Sequence, residues 1–218
     1  MSKKKIASCR APNGTAKDVA AAVNALQHGN VIVFPTETLY GLGADALDGA
    51  AVEKIFRLKG RDPNQPIPVL VADSEMLHAL ITDISPLALK MTERFWPGPL
   101  TLVLPARQDI PKPLLNASGG VGVRISSQPI ATKLVRALGR PLTATSANPA
   151  GKEPARTIEA AKNYFNGAVN VFLDGGTLTS KIGSTVVEVT ANKIKIIREG
   201  DIAASELRRV LGEGKFYQ

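Results

Sequence analysis

The chain has 218 residues, of which 44% are hydrophobic and 21% charged, a composition that fits a globular protein with a sizeable buried core and excludes a disordered chain. Lys and Arg number 27 against 19 Asp and Glu, and this formal net charge of +8 either favours polyanions such as nucleotides and RNA or serves only solubility. The apolar runs are no longer than strands and Cys9 is the single cysteine, so we expect no membrane span, no internal disulfide and a cytoplasmic location.

Helix and strand signals alternate from one end of the chain to the other. Capping residues, N-terminal prolines and closing glycines predict helices within residues 15–29, 48–60, 85–95, 129–139 and 207–211. Apolar or alternating runs predict strands at residues 31–34, 68–71, 100–104, 121–125, 142–145, 169–173, 184–190 and 193–198. Because no internal repeat or long linker interrupts this alternation, we expect one α/β domain over residues 1–218, built on an open mixed sheet flanked by helices. Ligands of such sheets bind beyond the strand ends, where polar clusters of this sequence lie.

The first polar cluster, residues 35–43, directly follows the first predicted strand and combines hydroxyl groups with glycines. Its amide and hydroxyl groups suit a small polar ligand or a phosphate, although the spacing matches neither a Walker loop nor a dinucleotide fingerprint. The alternative is a turn whose threonines bond locally. Both interpretations stay open from the residues alone.

The second cluster consists of Arg57, Lys59 and Arg61, at the end of the second predicted helix and before a proline-rich loop. Cations at a helix C-terminus offset the negative end of the helix dipole, which is a sufficient structural reason for them. Three cations on a stiffened corner also suit a triphosphate clamp.

The third cluster, residues 143–151, contains Ser146 and Asn148 at the end of an apolar strand. Arg124 lies inside another predicted strand and Arg198 lies at the end of a third. An arginine in a buried strand needs an anionic partner, which is either a ligand carboxylate or a structural Asp or Glu.

Several of these segments together resemble the YrdC/TsaC family over residues 15–205. In chain order they are residues 35–43 (PTETLYGLG), 59–61 (KGR), 95–101 (FWPGPLT), 146–148 (SAN), 183–187 (GSTVV) and 197–200 (IREG). Each motif alone is weak, and their common order carries the resemblance, which is to the short bacterial form of the family.

The resemblance implies a YrdC-like fold, a twisted open mixed α/β sheet with a large basic concave surface. It also implies an L-threonylcarbamoyladenylate synthase, a nucleotidyltransferase that condenses L-threonine, bicarbonate or CO₂ and ATP to threonylcarbamoyl-AMP and pyrophosphate. That product serves tRNA threonylcarbamoyladenosine formation, so a downstream TsaD-type transferase complex is an implied partner. tRNA or double-stranded RNA is a further candidate ligand of the basic surface.

The resemblance also implies roles for particular residues. The implied catalytic residues, which also bind the nucleotide, are Lys59, Arg61, Ser146 and Asn148. The implied threonine-binding residues are Thr36, Arg124 and Ser184, and further nucleotide contacts are Arg57 and Arg198. No residue is expected to ligate a metal ion, and Mg²⁺ is expected to arrive with ATP.

One departure from the family pattern and two rival functions remain. Asp62 stands before Pro63, where many relatives have proline directly after the arginine, and an acid there would either weaken a phosphate clamp or help to place magnesium. The rivals are a non-catalytic module that binds structured RNA and a paralogue that acts on another carbamoyl acceptor.

Overall fold

The structure is a computed structural model that describes residues 7–8, 15–62 and 64–217; Cys9 and Pro63 lie outside these ranges. The described strands are β1 (Ala7–Ser8), β2 (Ile32–Pro35), β3 (Tyr40–Gly43), β4 (Val69–Leu70), β5 (Leu100–Pro105), β6 (Gly120–Arg124), β7 (Leu142–Thr143), β8 (Thr145–Ser146), β9 (Val171–Phe172), β10 (Thr185–Val189) and β11 (Ile194–Arg198). The described α-helices are α1 (Ala16–Gln27), α2 (Gly49–Lys59), α3 (Ser74–His78), α4 (Pro86–Phe95), α5 (Pro129–Leu138), α6 (Ile158–Phe165) and α7 (Ala204–Leu211).

Hydrogen bonding divides these strands between two open sheets. In the first sheet the order is β1-β9-β2-β3-β8, and in the second sheet it is β11-β10-β5-β6-β4-β7. Both sheets are mixed, because β2 pairs parallel with β9 and antiparallel with β3, and β5 pairs parallel with β10 and antiparallel with β6. The predicted α/β class with open mixed sheets flanked by helices is confirmed, whereas the extent of a single domain stays a prediction.

The sequence predicted one sheet because one stretch was interpreted as a single strand. Residues 142–145 in fact change sheets at Ala144: β7 pairs with β4 of the second sheet, and β8 pairs with β3 of the first. No glycine or proline interrupts residues 142–146, so no turn signal marks the crossing in the sequence.

Local signals account for the helices. Thr15 forms a capping box with Asp18, and the side chain of Asp48 accepts a hydrogen bond from the Ala51 amide at 3.1 Å. Gly60 ends α2 in the left-handed region at φ 58°, where a side chain would be strained. These predicted boundaries are confirmed. The helices α3 and α6 were missed, although Asp73 and Thr157 cap them.

The central strand β2 is buried on both faces. Ile32 and Phe34 pack with residues of α1 and α5, and Val33 points to the opposite side, into a cluster that includes residues of α2 and α6. This double burial explains why the strand is a continuous apolar run. Within the ranges given above, no helix combines the length and hydropathy needed to cross a bilayer.

The first polar cluster is half strand. β2 and β3 form a hairpin joined by residues 36–39, and Gly43 lies opposite Ile32 beside the ring of Phe34. A Cβ on Gly43 would lie 2.8 Å from Cε1 of Phe34, so packing against this ring requires the glycine. Gly43 is therefore explained by packing and not by a ligand.

A candidate active site between the two sheets

A cleft of about 130 Å³ opens where the two sheets meet. The residues with polar side chains that line it are Thr36, Thr38, Tyr40, Arg61, Arg124, Thr145, Ser146, Ser184 and Arg198. A larger cavity of about 500 Å³ adjoins this cleft and shares Arg61, Pro68 and Arg198 with it. The structure thus brings together residues that lie more than a hundred positions apart in the chain.

Arg124, the last residue of β6, is held on one side by an acid. Its Nη1 lies 2.7 Å from Oε1 of Glu37, and both side chains are almost fully buried, with 6% and 13% of their surface exposed. The second oxygen of Glu37 accepts a hydrogen bond from the Ser126 hydroxyl. Burial lowers the pKa of Arg124, and Glu37 and then Asp201 oppose that shift.

On its other side, the Arg124 guanidinium has no hydrogen-bond acceptor among the described residues. Among the described residues, neither Nε nor Nη2 of Arg124 makes a hydrogen bond, and the residue lines the cleft. The sequence left open whether the anionic partner of this arginine is a protein acid or a ligand carboxylate. The structure provides the acid, Glu37, and leaves free N–H donors for an anion.

Lys59 is the last residue of α2 and its side chain turns inward, with 3% of the residue exposed. Its ammonium donates to the backbone carbonyls of Ser146 and Asn148, the latter at 2.7 Å, and lies 3.5 Å from Oδ1 of Asn148. Its own carbonyl accepts from the Ala150 amide at 2.7 Å. Burial, followed by repulsion from Arg61, lowers the pKa of Lys59 to about 8. Lys59 therefore ties α2 to residues 146–150.

Arg61 is fixed by its own loop. Its Nε donates to the carbonyl of Gln65 at 3.0 Å, and its Nη1 lies 3.4 Å from the hydroxyl of Thr145. Asp62 closes the same loop, because its Oδ1 accepts from the amide and the side chain of Asn64 at 2.9 and 3.0 Å. In the described structure Asp62 thus shapes the loop and makes no ion pair with Arg61.

Arg198, the last residue of β11, contacts Ser184, the residue before β10. Nη2 of Arg198 donates to the Ser184 carbonyl at 2.8 Å and to its hydroxyl at 3.3 Å, and this hydroxyl lies 3.0 Å from Oγ1 of Thr101. Arg198 is more exposed than the other cleft cations. Even so, the surrounding protein and then repulsion from Arg124 lower its pKa.

Four cations therefore influence one another around the cleft. Burial and then repulsion from Arg198 lower the pKa of Arg61, so Lys59, Arg61, Arg198 and Arg124 form a connected series. Of the described residues that line the cleft, none is Asp, Glu or His. Such an arrangement favours anions bound between the cations. Within the part of the chain that the structure describes, no group of three or more His, Cys, Asp and Glu is placed to hold a metal ion.

The comparisons with known proteins identify the family. The family model for Sua5, YciO and YrdC proteins, described as "Telomere recombination", matches residues 24–200. The chain belongs to the Sua5/YciO/YrdC family. A threonylcarbamoyl-AMP synthase of Pyrococcus abyssi is 37% identical over 195 residues, which are 89% of this chain and 57% of the relative. A putative threonylcarbamoyl-AMP synthase of Mycobacterium tuberculosis is 33% identical over 204 residues, which are 94% of each chain.

A solved structure of this family shares the fold. P. abyssi Sua5 complexed with L-threonine aligns with a TM-score of 0.87 at 36% identity and covers 91% of this chain. This chain spans only 58% of that protein, as it spans 57% of the archaeal synthase. The family predicted from the ordered motifs is confirmed, and the individual residue roles stay predictions.

Three of the predicted nucleotide contacts do not line this cleft: Lys59 and Asn148, which are buried and contact each other, and Arg57. Arg57 lies on another side of α2. Two residues of helix separate it from Lys59, a rotation of about 200° around α2. Its side chain is 69% exposed, its nearest acid is Glu53 at 4.0 Å, and it lines a separate cavity together with Lys54.

Thr36 lines the cleft, but its hydroxyl is used within the turn. It donates to the Leu39 carbonyl at 2.7 Å and accepts from the amides of Thr38 and Leu39, each at 3.2 Å. The local-turn interpretation of this cluster therefore describes the Thr36 hydroxyl.

The sequence missed three residues of this site: Glu37, Thr38 and Ser126. Glu37 and Thr38 lie inside a recognised motif, but no local signal indicates what they contact. Glu37 meets Arg124 across 87 positions of sequence, and only the folded arrangement of both sheets shows this pairing.

Proposed function

We propose that this protein is an L-threonylcarbamoyladenylate synthase of the cytoplasm, which uses L-threonine, bicarbonate or CO₂, and ATP with Mg²⁺. The observation that carries the proposal is the buried guanidinium of Arg124, fixed by Glu37 on one side and free on the other, in a cleft lined by cations. The names of the relatives and the threonine complex of P. abyssi Sua5 support the same function. The single cysteine supports the location.

The amino-acid substrate would bind through its carboxylate. A guanidinium with two free neighbouring nitrogens matches the two oxygens of a carboxylate, and such bidentate pairs fix orientation as well as charge. Ser184, the residue before β10, lines the same cleft as Arg124. In the proposed orientation, the substrate carboxylate lies at Arg124 and the amine points toward the turn of residues 36–39.

The nucleotide would extend from the cleft into the adjoining cavity. A cleft of about 130 Å³ is too small for both substrates, whereas the larger cavity shares Arg61 and Arg198 with it. These two arginines would then lie beside the phosphates. The hydroxyl of Ser146 makes no hydrogen bond within the described residues, so it is available to donate to a phosphate oxygen.

The reaction would proceed in two steps, an addition to CO₂ and a displacement at phosphorus. The amine lone pair of threonine attacks CO₂, the new N–C bond forms a carbamate, and one amine proton leaves to solvent. A carbamate oxygen then attacks the α-phosphorus of ATP, the bond to the β-phosphate oxygen breaks, and pyrophosphate leaves. Charge accumulates on phosphate oxygens, and Arg61 and Arg198, which line both cavities, would stabilise it. Because the described cleft lining has no carboxylate, Mg²⁺ would be held by phosphate oxygens and water.

The test follows product and pyrophosphate. The protein is incubated with MgATP, labelled bicarbonate and L-threonine, and we expect threonine-dependent pyrophosphate release together with a labelled adenylate. Arg61→Ala should abolish both signals, and Arg107→Ala, which removes an exposed arginine paired with Asp109, should retain them. Folded protein that releases no pyrophosphate under these conditions would overturn the proposal.

The RNA-binding alternative predicts a different outcome. A non-catalytic module would bind structured RNA with steep salt dependence and would consume no ATP. Three arginines in a narrow cleft, Arg61, Arg124 and Arg198, suit a small anionic ligand better than the broad backbone of a duplex. The remaining alternative, another carbamoyl acceptor, would give pyrophosphate release that does not depend on threonine.

A further inference from the structure

The turn between β2 and β3 places the Thr38 hydroxyl in the cleft, and this oxygen can still accept a hydrogen bond. The contacts of the neighbouring Thr36 show why. Thr36 has one hydroxyl hydrogen, and the 2.7 Å contact with the Leu39 carbonyl uses it, because a carbonyl oxygen can only accept. The lone pairs of the same oxygen face the amides of Thr38 and Leu39. Oγ1 of Thr38 lies 3.0 Å from this oxygen and therefore receives no hydrogen from it.

No described group donates a hydrogen bond to the Thr38 hydroxyl. Its side chain is buried, with 3% of the residue exposed, and it lines the cleft. No further hydrogen bond to its hydroxyl occurs within residues 15–62 and 64–217. Whichever way its own hydrogen points, the lone pairs of Thr38 are unfilled on the cleft side.

This acceptor matters because every charged side chain that lines the cleft is a donor. Arg61, Arg124 and Arg198 can only donate, and the Ser184 hydroxyl already accepts from Arg198 at 3.3 Å. An α-amino acid needs donors for its carboxylate and an acceptor for its amine or side-chain hydroxyl. A neutral oxygen accepts from a neutral amine without the charge that would stabilise the ammonium form, and the attack on CO₂ requires the neutral form.

We propose that Oγ1 of Thr38 accepts a hydrogen bond from an N–H or O–H group of the amino-acid substrate, which makes Thr38 a specificity-determining residue. This inference rests on the proposed function, since it assigns one contact of that substrate. It also separates two neighbouring threonines: Thr36 shapes the turn, and Thr38 recognises the ligand.

The test measures binding of L-threonine by calorimetry to the wild type and to two variants. Thr38→Val keeps the shape and removes the oxygen, and we expect it to weaken threonine binding about tenfold, or 1.4 kcal/mol. Thr38→Ser keeps the oxygen and should bind threonine as the wild type does. Binding of ATP should be the same in all three proteins. Thr92→Val, on α4 and away from the cleft, is the control for loss of a threonine hydroxyl.

A second ligand identifies the group that donates. L-Valine has a methyl group where threonine has its hydroxyl. If the substrate O–H donates to Thr38, Thr38→Val loses the preference for threonine over valine. If the substrate N–H donates, the variant weakens both ligands equally. Either result supports the inference.

Two results would overturn it: Thr38→Val that binds threonine as tightly as the wild type, or Thr38→Val that loses ATP binding to the same extent as threonine binding. A wild type that binds no threonine would instead remove the proposed function along with this contact. Thermal unfolding checks that each variant is folded. If Thr38→Val does not fold, the smaller Thr38→Ala is compared with Thr38→Ser in the same titrations.

Discussion

Lys59 carries its charge where the surroundings oppose it. Its pKa falls to about 8 because the side chain is buried and lies near Arg61, while the unfolded chain keeps the ordinary lysine value of 10.5. Between these two pH values the unfolded state binds more protons than the folded state. The free energy of unfolding should therefore rise as the pH increases from 8 toward 10.5.

The first prediction isolates this effect with Lys59→Met. Relative to this variant, the wild type should gain on the order of 2 kcal/mol of unfolding free energy between pH 8 and pH 10, as measured by urea denaturation. Other groups titrate in both proteins, so only the difference between their pH profiles reports on Lys59. Parallel profiles would show that Lys59 keeps an ordinary pKa in the folded state.

Glu37 controls the orientation of Arg124, which gives the second prediction. Glu37→Gln keeps one oxygen for the guanidinium but removes the charge, so Arg124 should lose its fixed position. We expect the KM for threonine to rise about tenfold while the KM for ATP changes little, because a charged hydrogen bond contributes about 1.5–3 kcal/mol.

Steady-state kinetics with each substrate varied in turn checks this split. Glu53→Gln, which removes an exposed acid on α2, is the matched control and should leave both constants unchanged. Equal changes in both KM values for Glu37→Gln would indicate general damage to the cleft instead of a threonine-specific role.

At the scale of the elements, signals that act within a few residues were predictable and signals that act across the fold were not. The caps Thr15 and Asp48 fix helix starts through contacts three residues away, so the sequence predicts α1 and α2. The change of sheet at Ala144 depends on strands β3 and β4, which lie far away in the chain. The strand β3 was not predicted, because glycines are unusual in strands. Gly43 is needed there by the ring of Phe34, which lies across the hairpin.

Gly200, in the connection between β11 and α7, gives the third prediction. A Cβ there would overlap the backbone of Gly183 and Ser184, and backbone atoms cannot move aside as a flexible side chain can. Gly200→Ala should therefore lower the free energy of unfolding by at least about 2 kcal/mol and displace Ser184. Gly49→Ala is the control, because nothing lies within 4 Å of the added methyl group and a helix favours alanine. Chemical denaturation compares the two variants, and equal stabilities would contradict the predicted overlap.

At the scale of the whole molecule, the structure brings together some of the predicted site residues and separates others. Lys59, Ser146 and Asn148 do meet, as the ordered motifs led us to expect. Arg57 does not join them, because the helical period turns it to the other side of α2. A motif records which residue types recur, and the direction of each side chain depends on the element that carries it.

Removal of magnesium gives the fourth prediction. Because the described residues hold no cluster of metal-binding side chains, the ion should reach the protein only with ATP. Addition of EDTA should abolish pyrophosphate release, yet leave threonine binding and the melting temperature of the ligand-free protein unchanged. Calorimetry and thermal unfolding measure the last two quantities. A lower melting temperature in EDTA would reveal a structural metal and contradict the prediction.

The crossing of the chain at Ala144 has a mechanical consequence. Ala144 joins the two sheets directly beside the cleft, and the ion pair of Glu37 and Arg124 is a second connection between them. Sliding of one sheet against the other by about 1 Å would shift Ser146 relative to Arg124, and such a misplacement can slow a reaction about a hundredfold. The relative position of the two sheets thus sets the geometry of the cleft. A substitution in the core of either sheet can therefore alter turnover without touching a substrate.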